Sequence, residues 1–133
     1  MRKTKRWFII MILLSIFGFA ACGAVGIDGD HTYEQISAKK AKEIMDTEKD
    51  YIIVDARTQS EFDEGHIEGA ILIPEYEIAK RAEKEIPNKN AIVLVYCRSG
   101  RRSKIASEEL VKLGYTNVKE FGGIIDWPYG TVK

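Results

Sequence analysis

The sequence predicts a layered α/β domain built on a mostly parallel sheet. Three observations predict it. Short apolar runs at 51–54, 71–73 and 91–96 lack polar alternation, as strands buried on both faces do. Helical spacings fall between these runs. A glycine-containing polar loop follows the strongest run and opens a helical segment, the usual place for a site in an open α/β sheet.

Each element has a local reason. Ser37 is a helix N-cap, and Ala41, Ile44 and Met45 share one side of the helix it starts. Tyr51-Ile52-Ile53-Val54 is the next strand. Ile71-Leu72-Ile73 is another, stopped by Pro74. Ile78, Ala82 and Ile86 recur at four-residue intervals, and Pro87 ends that helix. Ala91 to Tyr96 is the central strand. Ala106, Leu110 and Leu113 mark a further helix, which Gly114 stops. Val118 to Phe121 is a last strand.

The 133 residues suffice for one domain, and 45% are apolar, enough for a core. Net charge is zero but uneven. Arg2, Lys3, Lys5 and Arg6 stand without an acid in the first 21 residues, leaving 16 basic against 20 acidic residues in the rest. A remainder at −4 argues against a nucleic-acid binder, which would show a basic face.

The N-terminus reads as a targeting segment. The apolar run 7–21 is 15 residues long, short for a membrane span of about 20 residues but suited to a signal-peptide core. Phe19-Ala20-Ala21-Cys22 resembles the lipobox of bacterial lipoproteins, with Phe19 where leucine is usual. That resemblance implies lipidation of Cys22 and a membrane anchor facing outside the cytoplasm. Residues 1–21 are then a signal peptide, 22–31 the lipidated cysteine and a glycine-rich tether, and 32–133 the folded domain. An uncleaved signal anchor is the rival reading, with the same sidedness.

Chemistry concentrates at Cys97-Arg98-Ser99-Gly100-Arg101-Arg102-Ser103. A loop entering a helix N-terminus offers free amides and the positive end of the helix dipole. Gly100 permits a tight turn, and Arg98, Arg101 and Arg102 add positive charge. A cysteine in such surroundings is expected to ionise readily and to act as a nucleophile. The only other cysteine is Cys22, so no internal disulfide framework is expected. Cys97, His31 and His66 are too few for a zinc site, and no metal or cofactor is expected.

Four segments in order resemble the rhodanese family of sulfurtransferases. They are Val54-Asp55-Ala56-Arg57; Glu61-Phe62 with Gly65-His66-Ile67-Glu68-Gly69-Ala70; the Cys97 to Ser103 loop; and Phe121-Gly122-Gly123 with Trp127. The resemblance covers about residues 32 to 130. It implies a five-stranded parallel sheet with helices on both faces. It implies a Cys97 persulfide, loaded from a small anionic donor such as thiosulfate and emptied by cyanide or a thiol. Arg98, Ser99, Gly100, Arg101, Arg102 and Ser103 are the expected binding loop, with Arg98 and Arg101 at its rim. Arg102 has an alternative place, tied into the helix start.

The remaining motif residues read as structural. Asp55 and Arg57 form an expected ion pair that shapes the loops, and Arg57 with Glu61 is a second candidate pair. His66 is expected to order a turn, as the family resemblance implies, in preference to acting as a base. Trp127 is expected in the core or a pocket wall. No oligomer signal stands out, and a monomer is expected.

Two rivals come from other classes. A phosphatase-like or arsenate-reductase-like loop needs Cys-x₅-Arg, but the residue six after Cys97 is Ser103, and Arg102 falls one short. The other rival is a persulfide carrier that serves a membrane partner without turnover.

Overall fold

The computed structural model describes residues 32–133. The expected signal peptide, Cys22, the expected tether and His31 lie outside the described residues.

Among the described residues, five strands form one parallel sheet in the order β1-β5-β4-β2-β3. They are β1 Glu34–Gln35, β2 Tyr51–Asp55, β3 Ile71–Leu72, β4 Ile92–Cys97 and β5 Val118–Gly123. Four α-helices accompany them: α1 Ala38–Thr47, α2 Gln59–Glu64, α3 Ile78–Glu85 and α4 Arg101–Lys112. The five-stranded parallel sheet is the one the family resemblance implied.

Alternation along β4 separates two cores. Val93, Val95 and Cys97 face one side, where Ala82 of α3 and Ala106 and Leu110 of α4 cover them. Leu94 and Tyr96 face the other, with Ala41 and Ile44 of α1. Both faces are thus dry, which is why the strands read as continuous apolar runs.

The helix starts follow their signals. Ser37 Oγ accepts the Lys40 amide at 3.0 Å and caps α1. Helix α2 was not expected, although its start is encoded. Thr58 and Glu61 form a reciprocal capping box, in which Thr58 Oγ1 accepts the Glu61 amide and Glu61 Oε2 accepts the Thr58 amide. Strand β1 was not expected either. Its two residues pair with Lys119 and Glu120 at the sheet edge.

Trp127 packs on the α1 side, with its ring 5.4 Å from Phe121 and 4.9 Å from Tyr129. With Lys42, Met45 and Tyr51 it lines a cleft of about 470 Å³. That cleft opens on the α1 side, whereas Cys97 faces α3 and α4.

Candidate active site

Cys97 is the last residue of β4, and α4 starts four residues later. Its side chain is buried. Gly100 bridges the two elements with φ +106°, a left-handed conformation that any Cβ would strain. The turn brings the Gly100 amide to 3.0 Å from Cys97 Sγ. Ser103 Oγ stands 3.4 Å from the same sulfur.

Two opposing effects set the thiol's acidity. Burial pushes it up. Hydrogen bonds from Ser103 and from the amides of Ser103, Gly100 and Ser99 pull it down and prevail, so Cys97 ionises below the ordinary thiol range. Fixed N–H groups around one sulfur suit an anion at that point and, one bond further out, a terminal persulfide sulfur.

The loop is held from below by β5. A Cβ on Gly123 would lie 2.0 Å from the Arg98 carbonyl oxygen, so only glycine lets the two backbones meet. The Ile125 amide then donates to that carbonyl at 3.3 Å.

The three loop arginines separate. Arg98 and Arg101 are exposed. Neither has an ion-pair partner among the described residues. Arg102 is half-buried and forks onto Glu61, at 2.7 Å to Oε2 and 2.9 Å to Oε1. The Arg102 guanidinium holds the Glu61 carboxyl at about 2, far below its usual value. This corrects the candidate pairing of Arg57 with Glu61. A pair 41 residues apart in sequence cannot be read from local spacing.

Arg57 instead doubles back on Asp55. Nη2 donates to Asp55 Oδ2 at 2.7 Å, and Nε donates to Oδ1 at 2.9 Å. Arg57 also donates to the Gly65 carbonyl at 2.7 Å, and Tyr96 Oη donates to Asp55 Oδ2 at 2.6 Å. Burial and then the Asp55 charge push the Tyr96 phenol far above its usual range, so it remains a donor. Tyr96 Oη accepts the Ile67 amide at 3.1 Å. The Asp55–Arg57 pair therefore ties the end of β2 to the 65–67 turn.

His66 belongs to that turn. Its ring stacks on Phe62 at 3.7 Å, and Nδ1 lies 2.9 Å from the Phe62 carbonyl, so it carries the proton that it donates there. Its backbone pairs with Val132. Its contacts are those of a turn-ordering residue.

One residue at the site escaped sequence reasoning. Glu120 is buried and accepts hydrogen bonds from Ser103 Oγ and the Gly122 amide, both at 2.7 Å. The only sequence signal was an acid two residues before a glycine pair.

The geometry agrees with the comparisons. The family model described as Rhodanese-like domain matches residues 37–127. The chain belongs to the rhodanese family. It is 40% identical over 80 residues to "Thiosulfate sulfurtransferase PspE" of Escherichia coli (strain K12), covering 60% of this chain and 77% of that one. It is 33% identical over 106 residues to "Putative sulfur carrier protein YrkF" of Bacillus subtilis (strain 168), covering 74% of this chain but only 56% of that protein. Among solved structures, "rhodanese with anions from E. coli" superposes with a TM-score of 0.59 at 38% identity, over 62% of this chain and 98% of that one. The name of the first relative states sulfur transfer, and that of the second states sulfur carriage.

Proposed function

We propose that this rhodanese domain is a sulfurtransferase working through a persulfide on Cys97. The observation that carries the reading is the buried sulfur ringed by amides at the end of β4, 3.0 Å from the Gly100 N–H.

In the first half-reaction the Cys97 thiolate attacks the outer sulfur of thiosulfate. A sulfur–sulfur bond forms to Cys97, and the donor's own S–S bond breaks. The electron pair of that bond leaves with sulfite. The persulfide keeps one negative charge, which the Ser99, Gly100 and Ser103 amides stabilise. In the second half-reaction cyanide or a thiol takes the outer sulfur and returns the thiolate. Arg98 and Arg101, exposed beside the loop, attract the anionic donor. Arg102, occupied by Glu61, braces the start of α4. Asp55, Arg57 and His66 shape the neighbouring loops.

The sequence supports a place for this activity. The basic and apolar pattern of residues 1–21 followed by Cys22 supports a domain carried on a lipid anchor outside the cytoplasm.

The test is steady-state thiocyanate formation from thiosulfate and cyanide. Parallel double-reciprocal lines are expected, as for a covalent intermediate. Cys97→Ser is expected to abolish the reaction. Turnover retained in Cys97→Ser would overturn the proposal.

A carrier role is the second reading, favoured by the similarity to the protein named a sulfur carrier. Stoichiometric loading of Cys97 without turnover on any small acceptor would select it.

A further inference from the structure

Glu120 is a buried carboxylate that the sulfur chemistry above leaves unused. It is 3% exposed in β5, paired in register with Val95 of β4. It reaches the cluster around Cys97 through Ser103, which is itself fully buried.

The hydroxyl of Ser103 has one proton and four possible acceptors. Glu120 Oε1 lies at 2.7 Å, the Gly100 carbonyl at 3.0 Å, Cys97 Sγ at 3.4 Å and the Gly122 carbonyl at 3.5 Å. The carboxylate is both the shortest and the charged acceptor, so it competes with the sulfur for the proton. While Glu120 holds the proton, Ser103 presents a lone pair to the sulfur. A lone pair is matched by S–H and opposed by S⁻. When the proton swings to the sulfur, it favours S⁻ instead. The Ser103 proton is thus contested between Cys97 and Glu120.

The charges around the cluster make this contest matter. Arg102 on α4 favours an anionic sulfur, and Arg98, Arg101 and Lys104 are exposed positive charges on the same loop and helix. Asp55 at the end of β2 is neutralised by Arg57. Glu120 has no ion-pair partner among the described residues and lines a cleft with Lys104 and Gln35. It is the unneutralised acid joined to the sulfur through one atom.

We propose that Glu120 is a positioning residue for Cys97: by holding the Ser103 hydroxyl it restrains the ionisation that the loop amides promote. The consequence is a sulfur kept partly as thiol between turnovers, the form that resists oxidation. The inference rests on the reading of Cys97 as the reactive group.

The experiment is the rate of Cys97 alkylation by iodoacetamide against pH, on the full chain. It needs no sulfur transfer. Glu120→Gln is expected to move the midpoint down by about one pH unit, a roughly tenfold faster reaction on the acid limb. Glu120→Asp keeps the charge but draws it back from Ser103, and is expected to move the midpoint the same way. In a Ser103→Ala background, Glu120→Gln is expected to move it much less. Thermal melting followed by tryptophan fluorescence identifies any variant that is unfolded, and either Glu120 variant alone then decides. An unchanged or raised midpoint in a folded Glu120 variant overturns the inference, as does an equal shift in the Ser103→Ala background. Should thiosulfate never load Cys97 while the midpoint still falls, the sulfurtransferase reading fails and the role of Glu120 stands.

Discussion

The Arg102 guanidinium grips the Glu61 carboxylate with two hydrogen bonds, at 2.7 and 2.9 Å, and joins the helix behind the Cys97 loop to the short helix after β2. Glu61 also caps its own helix by accepting the Thr58 amide at 3.0 Å. One carboxylate therefore fixes two walls of the site.

This pair predicts an acid-sensitive contribution to stability. The folded-state value of Glu61 is depressed to about 2 from an ordinary 4.5. The contribution is present above the unfolded value and is lost as pH falls from about 4.5 towards 2. Both side chains are partly solvated, so the effect is modest. Urea unfolding across this window should show a steeper loss in the wild type than in Glu61→Gln.

The Asp55–Arg57 pair should matter more. Asp55 is fully buried, and Arg57 is 6% exposed. Removing one partner strands a charge, at a cost of about 3–5 kcal/mol. Asp55→Ala is expected to show this loss in denaturant titration. Tyr96→Phe removes the 2.6 Å hydrogen bond to Asp55 and leaves the Ile67 amide without its 3.1 Å acceptor, and should cost about 1.5–3 kcal/mol.

Gly123 separates loop placement from fold. In Gly123→Ala the new methyl group meets the Arg98 carbonyl, so the Cys97 loop must shift. Cys97 alkylation at neutral pH should fall at least tenfold while cooperative unfolding is retained. Wild-type reactivity in this variant would show that the loop does not depend on its contact with β5.

Ser107 gives a prediction of opposite sign. Its hydroxyl is buried on α4 and has no hydrogen-bond partner among the described residues. An unpaired buried hydroxyl is destabilising. Ser107→Ala should therefore raise stability by about 1 kcal/mol in urea titration.

The sheet and its helices were legible because both physical periods were clean. Ala91 to Tyr96 lacks polar alternation, as a doubly buried strand does, and Ile78, Ala82 and Ile86 recur at helical spacing; the strand found is Ile92–Cys97 and the helix Ile78–Glu85. The cysteine loop was legible because glycine, arginines and a helix start cluster in seven residues. Helix α2 was missed because none of its residues is buried, so no apolar face marked it; Thr58-x-x-Glu61 was its one signal. Strand β1 has two residues, too few for a pattern. Glu120 was missed for a different reason. An acid in a strand reads as solvent-facing, and its burial is made tolerable by the Gly122 amide and by the approach of Ser103 from α4. Contacts of this kind, like Arg102 with Glu61, belong to tertiary structure and leave no local trace.

The most direct measurement is the intact mass of the protein after thiosulfate, before and after cyanide. A gain of one sulfur atom on Cys97, removed by cyanide with release of thiocyanate and absent from Cys97→Ser, is the predicted result. No gain from thiosulfate or any other sulfane donor would contradict a Cys97 persulfide.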